Sequence, residues 1–239
     1  MHFRAESAKQ GIVKMAFLIK DTKLKVPFVE ILQEEERYVA FPTNESALFD
    51  QDTLLPVGLL SYSLFDNKAN DEILIAVPNI QGTFDGDYPF ITYSLTSEGW
   101  LLDDEYSDGL EYKIEEPYIK RYKQAQIFFK ERKLKTGEGC PLFKLGGQPT
   151  LGQNWDSMLY DEMGDNPELD HYHDVMEDGS ESDFEYMSTR EITYFDEELE
   201  KEFIFLGKFS YDLYLGSGGD CIVFYQPELK KVMVVAEFS

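Results

Sequence analysis

Gly58-Leu59-Leu60-Ser61-Tyr62-Ser63-Leu64-Phe65 and Gly207-Lys208-Phe209-Ser210-Tyr211-Asp212-Leu213-Tyr214 are two versions of one pattern, 149 positions apart. At the same offset Asp71, Ile73 and Pro78 recur as Asp220, Ile222 and Pro227. With Gly58/Gly207, Ser61/Ser210, Tyr62/Tyr211 and Leu64/Leu213, seven positions of a 21-residue window are identical without a gap. Chance supplies roughly one or two such matches. Leu60, Tyr62 and Leu64 alternate in one copy, and Phe209, Tyr211 and Leu213 alternate in the other. Side chains two apart on a strand share a face, so each copy reads as an amphipathic hairpin.

Further β-type runs lie around the first copy, at 12–19, 26–32, 38–41, 72–77 and 90–95. They are rich in β-branched and aromatic residues and are separated by Asn-Glu-Ser, Asp-Asn-Lys and Asp-Gly-Asp turns. Around the second copy the runs are 203–209, 212–215, 221–225 and 232–238. Between the two lies one helical segment, 117–135, with Pro117 at its start, Lys130, Arg132, Lys133 and Lys135 near its end, and Gly137 as its stop. The predicted fold is therefore mostly β, with a minor helical part. Two similar antiparallel β-halves, 1–115 and 138–239, are joined by a central helix at 116–137 in one compact unit.

The second half carries an acidic insertion at 156–202. It holds 18 acidic residues and two basic ones, Arg190 and Lys201, a net charge of −16. The remaining residues share −8 of the total −24. Charge at this density opposes burial, so the stretch is expected to be an exposed loop with one short helix at 196–202. The helical segment is its opposite, with eight basic and three acidic residues between 113 and 135. Pairing with the acidic surface of its own chain accounts for those cations.

The charge balance excludes whole classes of function. With 22 Lys and Arg against 46 Asp and Glu, the surface repels nucleic acid and anionic membranes. Apolar residues make up 43% and aromatics 15%, enough for a core. No apolar run approaches the ~18 residues of a membrane span. The start, Met1-His2-Phe3-Arg4-Ala5-Glu6-Ser7, does not read as a signal peptide. Two cysteines, Cys140 and Cys221, are few for a secreted chain. The expectation is a cytoplasmic monomer with reduced thiols; a Cys140–Cys221 bridge is the other possibility.

Catalytic motifs are weak throughout. His171 and His173 are two apart among carboxylates, with Glu168 and Glu177 as further donors. A solvated loop accounts for them, so no metal is assigned. The carboxylates at 174–185 around Gly179 lack the ligand order of a calcium loop. Gly216-Ser217-Gly218-Gly219 precedes a strand rather than a helix and carries no Lys, so it reads as a turn and not a phosphate loop. His2, His171 and His173 are the only histidines, and none is arguably a partner for either thiol. Trp100 and Trp155 are read as core or interface anchors. No cofactor is expected, and the chain is not read as an enzyme.

Several patches are similar to the YwqG-like family of bacterial proteins of unknown function. Phe143-Lys144-Leu145-Gly146-Gly147-Gln148-Pro149 resembles that family's Lys-(Ile/Leu)-Gly-Gly-x-Pro motif, and Gln153-Asn154-Trp155 follows where the family keeps a Gln or Trp. Leu55-Pro56-Val57-Gly58-Leu59-Leu60-Ser61-Tyr62 resembles its Leu-Pro-x-x-Gly-Leu-Leu-Gln-Phe stretch. The segment at 205–212 looks like its buried strand, and 216–220 like its Gly-Asp-x-Gly turn followed by a strand at 221–226. Ser61 and Gly207 stand where the family has Gln, and the acidic segment interrupts the second half. About a hundred residues are covered, in patches. The resemblance implies a mostly β fold of two similar halves. Because some relatives are encoded beside polymorphic toxins, it also implies immunity.

The acidic segment interleaves its carboxylates with Tyr160, Tyr172, Phe184, Tyr186, Tyr194 and Phe195. Charge steers and orients an encounter while aromatic anchors hold it. A toxin with a basic cleft is the partner such a surface fits. The candidate contact residues are Glu168, Asp170, Tyr172, Asp174, Glu177, Asp178, Glu181, Asp183 and Tyr186. Two other classes stay open: an enzyme acting on a small molecule between the β-halves, and a scaffold holding a basic protein partner.

Overall fold

The computed structural model describes residues 15–21, 28–79, 90–103, 112–132, 140–147, 190–196, 200–216 and 219–237, with 15–21, 190–196, Leu215 and Glu237 as backbone. The fold is mostly β. Its strands are β1 (Met15–Asp21), β2 (Val29–Ile31), β3 (Tyr38–Ala40), β4 (Leu54–Ser61), β5 (Glu72–Pro78), β6 (Phe90–Thr96) and β7 (Gly99–Leu102). Helix α1 (Glu116–Glu131) follows, then β8 (Phe143–Leu145), β9 (Arg190–Asp196), β10 (Lys201–Ser210), a one-turn helix α2 (Asp212–Leu215), β11 (Asp220–Gln226) and β12 (Lys231–Glu237). All strand pairs are antiparallel and fall into two sheets. The smaller has the order β3-β4-β5. The larger runs β1-β9-β10-β11-β12-β6-β7, with β8 also on β10 and β2 outside β8.

The sequence repeat is a structural repeat over its outgoing strands and turns, while the identities Asp71/Asp220, Ile73/Ile222 and Pro78/Pro227 fall one place out of structural register. In each copy a long strand pairs with its successor and takes a β-bulge at the same place, between Pro56 and Gly58 in β4 and between Phe205 and Gly207 in β10. A tight helical turn follows each: a 3-10 turn at Tyr62–Leu64, and α2. The Tyr62 amide donates to the Asp71 carbonyl at 2.9 Å, and the Tyr211 amide donates to the Gly219 carbonyl at 2.8 Å. A third strand completes each unit, with Ala40 opposite Gly58 and Leu145 opposite Gly207. The units are therefore β3-β4-β5 and β8-β10-β11. The return strands match at an offset of 148, one less than the outgoing strands, because Leu60 pairs with Ile73 while Phe209 pairs with Cys221.

Glycine is required at both bulges. A Cβ on Gly58 would overlap the ring of Tyr38, and a Cβ on Gly207 would overlap the Lys144 carbonyl and the ring of Phe143. Gly207 also has φ +152°, a conformation that side chains disfavour. Tyr38 and Phe143 hold equivalent places in the two units. They stack on each other at 6.3 Å with an interplanar angle of 18°, and both are fully buried.

The two sheets are stitched by tyrosines. Tyr93 on β6 donates its hydroxyl to the Leu74 carbonyl at 2.8 Å and accepts the Ala76 amide at 3.1 Å. Those two groups belong to β5, the outer strand of the small sheet, whose edge would otherwise be buried unpaired. Tyr62 of the first unit meets Tyr225 of the second edge-on at 5.3 Å. The stretch 1–115 supplies β1, β2, β6 and β7 to the larger sheet as well as the whole smaller sheet.

Helix α1 buries Tyr122, Ala125 and Phe129, a three- and four-residue spacing that lays one stripe on the core. Tyr122 donates to the Pro56 carbonyl at the first bulge. Its ring and that of Phe129 pack on Tyr214 of the second unit and on Phe41 of the first. Glu116 and Lys130 sit at the helix ends their charges favour. The helix ends at Glu131, four residues before the expected end, where Arg132 turns to an extended backbone.

Three expectations are corrected. Residues 212–215 form the turn of helix α2, not a strand, because Gly216 in the left-handed region closes a helical turn with its amide on the Asp212 carbonyl. The predicted helix at 196–202 is absent among the described residues: Asp196 ends β9, and Lys201 already pairs with it at the start of β10. The acidic stretch also supplies a strand, since Ile192-Thr193-Tyr194-Phe195 carries β-propensity that an average over 47 residues conceals.

Two substitutions test this account by urea unfolding. Tyr93→Phe removes both stitches and leaves two buried backbone groups without a partner, so stability should fall by about 1–3 kcal/mol. Gly207→Ala should cost about 3 kcal/mol or more, and more than Gly58→Ala. At 207 the added methyl meets backbone in a strained conformation, whereas at 58 it meets the end of a side chain.

Candidate functional site

The nine acidic and aromatic candidates, Glu168, Asp170, Tyr172, Asp174, Glu177, Asp178, Glu181, Asp183 and Tyr186, lie outside the described residues, as do His171 and His173. The described structure does fix how their segment is held. Residues 148–189 connect β8 to β9 and contain 12 Asp and Glu with no Lys or Arg. Both flanking strands pair with β10 on the edge opposite β11, β8 at Gly207 and Lys208 and β9 at Lys201 to Phe203. The Gly146 amide donates to the Leu206 carbonyl at 2.8 Å just before the segment begins. The anionic stretch thus follows β8 beside the bulge of β10 and leads into Arg190, which pairs with Asp21 of β1; β9 reaches β10 only at its far end, Tyr194 to Asp196.

Next to this foot, Phe28 and Val29 are exposed at the start of β2, 57% and 40% respectively. Val29 pairs with Leu145, and the ring of Phe28 lies against Gly147. Apolar side chains thus border the point from which the segment leaves the sheet.

The cations of the helical region divide into three groups. Lys113 pairs with Asp52 at 3.2 Å and Arg121 with Asp212 at 3.7 Å, so part of the basic segment does neutralise its own chain. Lys120, Lys123 and Lys130 are exposed and make no ion pair among the described residues. Arg132 is different again. Its terminal nitrogens donate to the Cys140 carbonyl and, at 3.0 Å, to the Leu32 carbonyl. Its plane lies 3.8 Å from the centre of the Phe129 ring. Its Nε is buried without a hydrogen-bond partner, and burial draws the guanidinium pKa down from its usual range.

Arg132 borders a cleft of about 430 Å³ between the end of α1, the end of β3 and the segment after β2. Phe41, Phe129, Ala40 and Leu142 give it apolar walls, and Gln33, Glu34, Gln126 and Lys130 line the rest. Near Arg132 lies Tyr214, which in turn neighbours Tyr38 and Tyr122; burial pushes all three phenols up and keeps them protonated. The hydroxyls of Tyr38 and Tyr214 have no hydrogen-bond partner among the described residues. No run of sequence marked this cleft, because four separate segments build it.

Among the described residues no group of three or more His, Cys, Asp or Glu is placed to hold a metal. No helix there is long and apolar enough to cross a membrane. Both cysteines are free. Cys221 is fully buried, and burial together with Asp220 pushes its thiol well up. Burial also raises Cys140, against the opposing pull of Ser210 and Arg132. A raised pKa keeps the thiol protonated, and only the thiolate reacts. Ellman's reagent at pH 8 should therefore label Cys140 more slowly than a free thiol, faster as pH rises, and should label Cys221 only after denaturation. Rapid labelling of two thiols in the native protein would contradict the packing. In comparisons with known proteins, no family model, curated protein or solved structure matches the chain.

Proposed function

We propose that the protein is a bacterial immunity protein of the YwqG-like type, acting in the cytoplasm. It binds a cognate toxin with a basic surface in a stoichiometric complex and turns over no substrate. The observation that carries this reading is the 42-residue segment at 148–189, with 12 carboxylates and no compensating cation, running between two strands, β8 and β9, that each pair with β10 along part of their length. A polyanion presented from a fixed base attracts a cationic cleft at long range. Tyr172 and Tyr186 within it supply anchoring area. The residues assigned to contact are Glu168, Asp170, Tyr172, Asp174, Glu177, Asp178, Glu181, Asp183 and Tyr186.

A second reading, action on a small molecule between the β-units, draws on the cleft beside Arg132. The described walls of that cleft offer no histidine, serine or cysteine as nucleophile or base, which favours binding over turnover. A scaffold for a basic protein shares the acidic surface of the first reading and differs from it in lacking any protection against a toxin.

The deciding experiment is capture of the partner from the source cells by the full chain, followed by co-expression with it. The intact chain should rescue growth. A chain with Glu168, Asp170, Asp174, Glu177, Asp178 and Glu181 changed to their amides should keep its thermal midpoint and lose most of the affinity. Binding of the intact chain should weaken steeply between low and physiological salt. Equal rescue by both chains would remove the acidic segment from the mechanism.

A further inference from the structure

The cleft beside Arg132 stands apart from the acidic segment, and its chemistry is opposite in sign. Six ion pairs among the described residues occupy Lys113, Arg121, Lys201, Lys208, Lys230 and Lys231. In a chain of net charge −24, the two cations of the cleft, Lys130 and Arg132, have no carboxylate partner among the described residues. Arg132 is also held in place: two backbone carbonyls from separate segments grip its terminal nitrogens, and the Phe129 ring supports its plane. A guanidinium fixed in advance loses little freedom when an anion arrives. Each terminal nitrogen retains a second hydrogen.

The walls determine what the anion is attached to. Phe41 and Phe129 stand 5.7 Å apart, tilted by 46°, and with Leu142 they form an apolar surface that suits a flat hydrocarbon body. About 430 Å³ lies within the range of small-molecule sites, roughly 300–1,000 Å³. Glu34 is the one carboxylate among the described lining residues. Among the described lining residues two cations and one carboxylate leave a single positive charge, which matches a monoanion better than a phosphate dianion. We propose that this cleft binds a small amphiphilic organic monoanion, its carboxylate or sulfonate at Arg132 and Lys130 and its flat apolar body against Phe41 and Phe129.

The test uses the full chain and two fluorescent probes of similar shape, 8-anilinonaphthalene-1-sulfonate and the uncharged N-phenyl-1-naphthylamine. The sulfonate should bind at one saturable site, at least about ten-fold tighter than the neutral probe. Backbone amide shift changes should centre on Ala40, Gln126 and Leu142. Lys130→Gln should weaken binding and Glu34→Gln should tighten it, each by about three-fold, as expected for partly exposed charges. Both positions are exposed, so the variants should fold. Arg132→Lys, which keeps the charge but not the planar fork, should weaken binding further than Lys130→Gln. Equal affinity for the two probes would overturn the proposal. So would shift changes centred on the exposed Ile127 and Phe128 of α1 or on Phe28 and Val29.

Discussion

The architecture depends on a close approach made twice, a backbone with no side chain lying beneath an aromatic ring. Gly58 lies under Tyr38 and Gly207 lies beside Phe143, in equivalent places of two three-stranded units. Those rings then stack on each other at 6.3 Å. The bulges bend the long strands where the rings pass. Helix α1 closes the arrangement by donating from Tyr122 to the Pro56 carbonyl at one bulge and packing on Tyr214 after the other. Dense aromatic packing of this kind is what 18 Phe and 15 Tyr in 239 residues permit.

Much of this was legible in the sequence because it is local. A bulge glycine, a tyrosine four residues on and a helical turn lie within eight residues, so a copied unit leaves a copied string. Helix α1 was legible from Pro117 and the charges at its ends. What the sequence concealed is long-range. Nothing in the run at 90–95 says that β6 pairs with β12 across more than a hundred residues, or that Tyr93 reaches the edge of β5. Gly99-Trp100-Leu101-Leu102 is too short and begins with too permissive a residue to read as a strand, yet it is β7. Strand β9 was hidden by the acids around it. The contact residues expected at 168–186 lie outside the described structure, and the cleft at Arg132 was invisible because its walls are scattered from Gln33 to Leu142.

Charge and fold are largely separated in this chain. The buried strands of the small sheet carry almost no charged side chains; β4 holds none, and β5 holds Glu72 at its exposed end. The six ion pairs among the described residues, most of them exposed, add little to stability. The better protected one, Lys231 with Asp103, is reinforced by the Thr92 and Ser94 hydroxyls on the same carboxylate. The net charge of −24 therefore acts on solubility and encounter, not on the choice of fold.

The tether of residues 148–189 has an evolutionary consequence. It runs from β8, which pairs with β10 at the bulge, to β9, whose first residue pairs with β1 and whose last three pair with β10. Doubling the length of a loop closed in this way costs only about 0.6 kcal/mol of chain entropy. Mutation can lengthen, shorten or rewrite this stretch while the doubled bulges, the stacked rings and the tyrosine stitches stay as they are. A lineage can in this way change the length and charge of this stretch without passing through an unfolded ancestor.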